Sequence, residues 1–336
     1  MRSHVIPAAI LCVVLSACGS SPQASGSPGT GAPAGALFQA PNAWNNAVDS
    51  AQLSSSSSSI LSALAAAGGW GTGKIQIDFS MKVLTADGST PMVAFTPSAG
   101  FYTPDCDQGM PFPLPPGGAI EGESGYSCTS GGDCHLLVVH TAKKKLYEMY
   151  QATVAGGVLQ ATCAVVWDLT KSYPADLRGQ QCTSTDAAGL PVAALLFTAD
   201  EVAAGSIDHA IRFILPNARM AQKVYVYPAT HAGAPSGAAG LPPYGSRFRL
   251  RADYPLASLP SDGARVVARA LQKYGMILAD GGNIALTAAD DAYSQHKWVD
   301  VGIDSHSLGA LQVGDFEVVD GGPLIPLTYD CVRNGQ

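Results

Sequence analysis

The stretch Asp208-His209-Ala210-Ile211-Arg212-Phe213-Ile214-Leu215 carries the pattern that decides the fold. With a period of two residues, His209 and every second residue after it share an apolar face, as in a half-buried strand. On that face His209 is expected to be a core histidine whose polar atoms are satisfied. Asp208 and Arg212 fall on the opposite face, where we expect them to form a structural ion pair.

Other segments repeat this strand pattern. They are residues 74–79, 137–139, 146–150, 224–227 and 247–251. The lysine run 143–145 stands between two of them and is expected to be a solvated hairpin tip. The 37 glycines and 23 prolines supply the tight turns that such strands need. The sequence therefore predicts a mainly β fold, an antiparallel sandwich or jelly-roll-like single domain over residues 37–336.

Few helices are expected. Thr198-Ala199-Asp200-Glu201 has the capping-box pattern and would open a short helix that stops at Gly205. A longer helix near 262–274 would begin at Ser261 or Asp262 and end before Gly275, packed on the sheets. Residues 60–64 have the pattern of a short amphipathic helix. A parallel βαβ fold, the alternative, would need far more helix than this.

The N-terminal segment predicts export. Residues 1–17 combine a short polar start with an apolar run too short to span a bilayer, which is typical of a signal peptide. Leu15-Ser16-Ala17-Cys18 is a lipobox, so Cys18 would be acylated with palmitate and attach the protein to a membrane of the bacterial envelope. The outer membrane is expected where one exists. The alternative is an ordinary secretory signal with a chance cysteine. Residues 18–36 would be a flexible Ser/Pro/Gly linker.

Composition and missing motifs exclude several functions. The net charge of −7 and the lack of a basic stripe argue against nucleic acid as a partner. The segment 68–74 fits G-x-x-x-x-G-K, but Ile75 stands where a magnesium-binding hydroxyl is needed. The sequence contains no G-x-S-x-G, H-E-x-x-H or C-x-x-C motif. We therefore predict no cofactor.

The cysteines indicate disulfides. Beyond Cys12 in the signal peptide and Cys18, six remain, an even number suited to an oxidising compartment. The six are Cys106, Cys128, Cys134, Cys163, Cys182 and Cys331. Short separations favour the pairs 128–134 and 163–182, which leaves 106–331. The rival hypothesis, a metal site of Cys128, Cys134 and His135, lacks the usual zinc-ligand spacing, and no metal is predicted.

Polar residues in turn-rich surroundings are the catalytic candidates. Glu121 follows a Pro/Gly-rich stretch, Asp186 lies in the loop 183–191, and His231 comes directly after a strand. We expect these three to converge on one cleft, with Asp280 as a reserve carboxylate. Paired carboxylates suit glycosidic bond cleavage, whereas a His or Tyr with a neutralising Arg suits a lyase. The alternative for Asp186 is a turn-capping side chain.

Three further residues are candidates for substrate binding. Arg249 lies on the polar face of the predicted strand 247–251 and could neutralise an acidic sugar. Tyr244 and Tyr274 would supply contacts to a sugar ring.

Several blocks of the chain resemble a family of exported bacterial proteins that has no assigned reaction. The blocks are 113–122 (PLPPGGAIEG), 135–139 (HLLVV), 146–150 (LYEMY), 183–191 (TSTDAAGLP), 200–202 (DEV), 209–213 (HAIRF), 225–231 (YVYPATH), 242–250 (PPYGSRFRL), 273–280 (KYGMILAD) and 316–320 (FEVVD). The chain departs from that pattern in the cysteines at 128 and 134 and in a longer loop before His135.

The resemblance implies a polysaccharide substrate, because members of such families are often joined to carbohydrate-binding modules. The expected function is a carbohydrate-active enzyme, a glycoside hydrolase or polysaccharide lyase that cleaves an extracellular or cell-wall polysaccharide. The alternative is a non-catalytic surface lipoprotein that binds glycan or another envelope component. A cleaving groove and a binding groove need the same residue types, so the sequence does not separate the two.

The lipid anchor can be tested directly. When cells expressing the protein are labelled with a palmitate analogue, we expect label on the natural chain and none on a Cys18→Ala variant, because the acylated thiol is absent. A Cys12→Ala variant is the matched control and should remain labelled. Label that persists on Cys18→Ala would contradict the lipoprotein prediction.

Overall fold

A computed structural model describes residues 37–334. The predicted signal peptide 1–17, Cys18 and the linker 18–36 lie outside the described residues. Within residues 37–334, no helix has both the length and the apolar character needed to cross a bilayer.

Strands dominate this part of the chain. The strands are β1 Ile77–Met81, β2 Val83–Ala86, β3 Met92–Val93, β4 Phe95–Pro97, β5 Phe112–Pro113, β6 Leu136–His140, β7 Lys145–Tyr150, β8 Thr153–Ala155, β9 Val158–Ala161, β10 Cys163–Asp168, β11 Gly179–Gln180, β12 Ile211–Leu215, β13 Val224–Tyr225, β14 Arg247–Leu250, β15 Met276–Gly281, β16 Leu286–Ala289, β17 Phe316–Val318, β18 Ile325–Pro326 and β19 Val332–Arg333. The α-helices are α1 Ser57–Ala66, α2 Ala199–Ala204 and α3 Asp262–Lys273. Strand makes up 26%, and helix, with the short 3₁₀ helices included, makes up 14%, so the predicted mainly β fold is confirmed.

Two larger sheets organise the molecule. One has six strands in the order β1-β16-β12-β15-β14-β17, and the other has four in the order β10-β7-β6-β2. A three-stranded sheet, β4-β9-β8, and three two-stranded ribbons complete the arrangement, which is consistent with a β-sandwich. The sheets are not purely antiparallel, because β1–β16, β12–β15, β2–β6 and β4–β9 run parallel.

The helix predictions agree with the structure. In α3 the Ser261 hydroxyl accepts a hydrogen bond from the Ala264 amide at 3.0 Å, which satisfies an otherwise unpaired amide of the first turn. At α2, Thr198 and Glu201 form both halves of the capping box, and Gly205 ends the helix with φ 87°. The segment 60–64 lies within α1.

Two of the three residues of the lysine run, Lys143 and Lys144, lie at the predicted hairpin tip, whereas Lys145 begins β7. β6 and β7 pair antiparallel, from Leu136 opposite Met149 to His140 opposite Lys145. Residues 141–144 form the turn between these strands. The hairpin prediction is therefore confirmed.

Buried side chains form two hydrophobic clusters. The larger contains residues of both the six-stranded and the four-stranded sheet, and in it the Trp70 ring meets Phe213, Phe248 and Phe316 edge-on at 5.4–6.4 Å between centroids. The smaller, which includes Phe112, lies against the four-stranded and three-stranded sheets. Aromatic side chains bury the largest apolar areas, so these clusters are the main hydrophobic stabilisation. The assignment of all these residues to a single domain stays a prediction.

The structure contains three disulfides, of which one has the predicted pairing. Cys128 bonds to Cys134 as expected. The predicted pairs 163–182 and 106–331 are wrong, because Cys106 bonds to Cys163 and Cys182 bonds to Cys331. Cysteines 128 and 134 therefore cannot offer free thiolates to a metal.

Strand pairing explains the two corrected bonds. The amide of Asp107 donates to the carbonyl of Ala164, so Cys106 lies alongside the start of β10, where Cys163 stands. β19 pairs with β11, which carries Cys331 to Cys182. Sequence separation does not reveal either pairing, since both depend on contacts between distant segments.

The disulfides should differ in their contribution to stability. Cys182–Cys331 closes 149 residues and Cys128–Cys134 closes 6. The chain-entropy relation gives about 5 kcal/mol for the long loop and about 2 kcal/mol for the short one. In urea unfolding, Cys182→Ser/Cys331→Ser should therefore lose more free energy of unfolding than its matched control, Cys128→Ser/Cys134→Ser. Equal losses would contradict a loop-entropy origin.

Candidate functional site

A cavity of about 730 Å³ lies where residues from both larger sheets meet. Asp280 reaches it from β15 of the six-stranded sheet, and Tyr150 reaches it from the end of β7 in the four-stranded sheet. Its carboxylates are Asp105, Asp133, Asp186 and Asp280, its histidine is His231, and its aromatic side chains are Phe101, Tyr102, Tyr150, Tyr244 and Tyr329. A concave site with convergent polar groups and aromatic walls is the usual form of a small-molecule or substrate site.

Arg212 lies at the base of this region and is almost fully buried, at 3% exposure. Its Nε donates to Asp186 Oδ2 at 2.9 Å, and Nη2 donates to Asp280 Oδ2 at 2.7 Å. Nη1 donates to the Thr287 hydroxyl at 3.2 Å. Burial by itself would lower the pKa of Arg212, but the two carboxylates outweigh it and raise that pKa above its ordinary value. The guanidinium is thus a fixed positive charge.

The expected pair of Asp208 with Arg212 is wrong. β12 begins at Ile211, so Asp208 precedes the strand and does not share its alternation. The Asp208 carboxylate lies 3.5 Å from the Tyr274 hydroxyl instead. His209 is confirmed as a satisfied core histidine, since its ring contacts the Ala210 carbonyl at 2.8 Å and Glu201 at 3.2 Å.

A register irregularity places Asp280. Phe213 pairs with Leu278, but the next residue, Ile214, pairs with Asp280 and skips Ala279. Because side chains alternate along a strand, an uninterrupted ladder would put Asp280 on the face opposite Arg212. Because of the irregularity, the Asp280 side chain lies on the same face of the sheet as Arg212. Bulges next to active sites commonly change the direction of a side chain in this way.

Behind the cavity wall, His135 is held on both ring nitrogens. Nδ1 lies 2.6 Å from Glu121 Oε2, and Nε2 lies 2.9 Å from the Thr185 carbonyl oxygen. Both partners accept hydrogen bonds, so both ring nitrogens donate and His135 is an imidazolium. Burial alone would lower the pKa of His135, but Glu121 outweighs it and raises the pKa to about 9. Burial alone would raise the pKa of Glu121, but the interaction with His135 outweighs burial and lowers the pKa of Glu121 to about 2.

Glu148 is a second fully buried carboxyl group. It accepts hydrogen bonds from Trp167 Nε1 at 2.9 Å, from the Ala193 amide at 2.9 Å and from the Thr185 hydroxyl at 3.3 Å. Burial raises the pKa of Glu148 to about 7, although these donors favour the charged form. Thr185 therefore connects two buried ionisable side chains. The Thr185 hydroxyl donates to Glu148, and the Thr185 carbonyl accepts from His135.

Asp133 and Asp280 line the same cavity in opposite electrostatic environments. Burial raises the pKa of Asp133, and the negative charges of Asp280 and Glu121 raise it further. The positive charges of His135 and Arg212 lower it, but by less. Asp280 forms a direct ion pair with Arg212 and keeps 24% of its side chain exposed. Two carboxyl groups in different electrostatic environments within one cavity are an arrangement that acid–base enzymes use.

His231 has a defined tautomer. Its Nδ1 lies 3.0 Å from the Ala187 carbonyl oxygen, which only accepts, so Nδ1 carries the proton. Burial lowers the pKa of His231, which leaves Nε2 unprotonated at neutral pH. Within residues 37–334 no hydrogen-bond partner of Nε2 is found, and the ring packs edge-on against Tyr329 at 5.5 Å. His231 therefore offers a free acceptor nitrogen to the cavity.

The structure brings together most of the catalytic candidates. Asp186, His231, Asp280 and the binding candidate Tyr244 all line the cavity. Glu121 lies behind the lining, where it contacts His135. Asp186 is fully buried against Arg212, and burial raises its pKa to about 6. Its Oδ1 also accepts from the Ala188 amide at 3.1 Å, the turn-capping alternative raised by the sequence.

Arg249 and Tyr274 lie outside this cavity. Arg249 pairs with Glu317 at 2.7 Å and donates to the carbonyls of Asp49 and Ala51, so it fastens the segment 49–51 to β14. Tyr274 is buried at the end of α3. Neither placement supports contact with a substrate in the cavity.

Sequence reasoning missed Asp133, Glu148 and Arg212 as site residues, and it raised His135 only as a ligand of the rival metal site. One signal was present for Glu148, since alternation in 146–150 puts this acidic residue on the same face as Leu146 and Tyr150. Asp133 and His135 flank Cys134, whose disulfide was predicted, so a constrained backbone at this point could also have been noticed.

Clusters with metal-ligand geometry are few among the described residues. They are Asp105 with Cys182 and Cys331, and Glu123 with Cys128 and Cys134. The sulfur atoms of both belong to disulfides and are not available as thiolates. Comparison with protein-family models, curated proteins and solved structures finds no match.

The Glu121–His135 pair makes stability depend on pH. The pKa of His135 is 6.5 without its partners and about 9 in the folded chain. Its contribution is fully present below pH 6.5 and is lost as pH rises through about 9, on the order of 3 kcal/mol. Between pH 7.5 and pH 10, urea unfolding should show about 2 kcal/mol of this loss in the natural protein and a much smaller loss in Glu121→Gln.

Glu123→Gln is the matched control, because this nearby glutamate accepts hydrogen bonds from Thr129 and Ser130 and none from His135. The Glu123→Gln variant should keep the full pH dependence of the free energy of unfolding. An equal loss of stability in the natural protein and in Glu121→Gln would contradict the assignment of an imidazolium at His135.

Proposed function

We propose that the protein is a glycoside hydrolase that acts on a polysaccharide outside the cytoplasm, held at the cell envelope through Cys18. The observation that carries the proposal is the pair Asp133 and Asp280. In one cavity, burial and neighbouring negative charge raise the pKa of Asp133 and so favour its protonated form, while Asp280 is paired with a cation. Glycosidic cleavage needs one carboxylic acid and one carboxylate on opposite sides of the scissile bond.

The two carboxyl groups have different roles in this proposal. Asp133 donates its proton to the glycosidic oxygen as the sugar departs. Asp280 either activates the attacking water or attacks the anomeric carbon itself, and the ion pair with Arg212 keeps its carboxylate oriented. Asp186 holds Arg212 from the other side, so it acts through the guanidinium and is a positioning residue.

Aromatic side chains support a sugar ligand. The rings of Tyr102 and Tyr150 are stacked, with centroids 6.2 Å apart and planes inclined by 24°. Tyr329 lines the cavity, is 63% exposed and packs edge-on against His231. Exposed aromatic faces and hydroxyl groups suit the apolar faces and hydroxyl edges of a sugar.

A hydrolase is favoured over a lyase by the state of Arg212. A lyase that removes a ring proton from an acidic sugar needs a cation free to neutralise the carboxylate. Each terminal nitrogen of Arg212, like its Nε, already donates to a protein group, and neither Lys nor Arg lines the cavity within the described chain. Arg249, the candidate for that role, lies elsewhere.

Loss of either carboxyl group should abolish turnover. In Asp133→Asn and in Asp280→Asn we expect the rate of release of reducing ends from a cleaved polysaccharide to fall by roughly 10²–10⁴-fold. The reason is that Asn neither donates an acidic proton nor carries a negative charge. The measurement is a reducing-end assay over a panel of neutral, amino-sugar and uronate polysaccharides.

The control is Asp253→Asn, since Asp253 is 75% exposed in a surface pair with Arg251 outside the cavity. This variant should keep full activity. Full activity in Asp133→Asn or Asp280→Asn would contradict the proposed roles. Binding to a glycan without release of reducing ends from any member of the panel would favour the non-catalytic alternative.

A further inference from the structure

The charge of the cavity is unbalanced. Behind its wall, Arg212 neutralises one of its two carboxylate partners, and His135 neutralises Glu121. Asp105 faces the cavity without an ion-pair partner in residues 37–334, Asp133 is the protonated acid of the proposed function and adds no charge, and the lining contains neither Lys nor Arg. The chain therefore leaves negative charge in this cavity that only a ligand or solvent cations can compensate.

The hydrogen-bonding groups at the cavity also favour a cationic ligand, because they accept hydrogen bonds. His231 offers the Nε2 lone pair, because its proton is on Nδ1. Asp105 uses one oxygen to accept from the Thr183 amide at 2.8 Å, and a carboxylate accepts several hydrogen bonds. A ligand that donates hydrogen bonds fits these groups better than one that accepts them.

The spacing of the carboxylates argues for an extended organic cation and against a metal ion. Within the described residues, no three of the cavity carboxylates bring their oxygens within 4.8 Å of one another. The aromatic walls point in the same direction, because ammonium groups bind favourably over tyrosine rings such as Tyr102 and Tyr150.

We infer that the glycan accepted by this cavity carries free amino groups, so that its substrate class is an amino-sugar polymer that is at least partly not N-acetylated. This inference rests on the proposed function for the identity of the ligand as a glycan. The ammonium groups supply the missing positive charge and donate to Asp105 and to His231. An acidic sugar, by contrast, would meet carboxylates without a compensating cation.

The test is binding of three hexasaccharides measured by isothermal titration calorimetry at pH 6 and low salt. The probes are the glucosamine, N-acetylglucosamine and galacturonate hexamers. We expect the glucosamine hexamer to bind at least about tenfold more tightly than the N-acetylated one, as charge-assisted hydrogen bonds are stronger than neutral ones. The galacturonate hexamer should bind weakest, and the glucosamine preference should shrink in high salt because of screening.

The Asp105→Asn variant tests whether the preference comes from negative charge in the cavity or from the negative charge of the protein as a whole. Asn keeps an oxygen that can accept from the Thr183 amide, so the variant should fold and should lose about threefold or more of the affinity for the glucosamine hexamer only. Asp253→Asn removes the same charge elsewhere on the surface and should bind as the natural protein does. Equal effects of the two variants would overturn the inference.

Binding and cleavage report on different claims. Release of reducing ends with equal affinity for the glucosamine and N-acetylated hexamers would overturn this inference and leave the hydrolase proposal standing. A salt-sensitive glucosamine preference without release of reducing ends from any polysaccharide would support the inference and contradict the hydrolase proposal. Tightest binding of the galacturonate hexamer would overturn the inference outright.

Discussion

The buried guanidinium of Arg212 is the interaction on which the centre of this structure depends. Removing such a cation from water costs several kcal/mol, and the cost is offset only when ion pairs and hydrogen bonds have good geometry. Asp186, Asp280 and Thr287 meet that requirement from the loop 183–191, from β15 and from β16. The relative position of these three segments is therefore fixed around one side chain of β12.

Thr185 extends this arrangement to the other large sheet. Its carbonyl accepts from His135, which precedes β6, and its hydroxyl donates to Glu148 of β7. The loop 183–191 thus binds a cation of the six-stranded sheet and two ionisable side chains at the four-stranded sheet. Buried polar networks of this kind are stable only when every member is paired, so the geometry of the loop is specified by both sheets.

Much of the local structure could be predicted, because its causes are local. The period-two strands, the cap of α3 and the capping box at Thr198 depend on neighbouring residues, and the sequence displays them. The skipped residue Ala279 is different, because it depends on the pairing of β12 with β15. Without that pairing, the side chain of Asp280 cannot be assigned to a face, and the partner of Arg212 cannot be identified.

The candidate site was therefore predicted in part. Asp186, His231, Asp280 and Tyr244 carried signals in their turn-rich surroundings, and the structure places them at one cavity. No such signal marked three other residues of the site, because they lie in or beside apolar strands: His135, Glu148 and Arg212. Their roles follow from partners far away in the chain, such as Thr185, which lies 50 residues from His135.

The disulfides lie next to the cavity. Cys106 follows Asp105, Cys134 follows Asp133, and Cys182 precedes Thr183, so each bridge has one end next to a residue that lines the cavity. Cys134 also has φ 50°, a left-handed conformation that non-glycine residues rarely adopt, between Asp133 and His135.

Acid–base groups need fixed geometry, yet these carboxylates repel one another and would separate on a flexible backbone. Covalent bonds do not weaken as charge accumulates, whereas hydrogen bonds and packing must compete with that repulsion. The three bridges thus complement the ion pairs at Arg212: both oppose the repulsion among the carboxylates that would otherwise separate the side chains of the cavity.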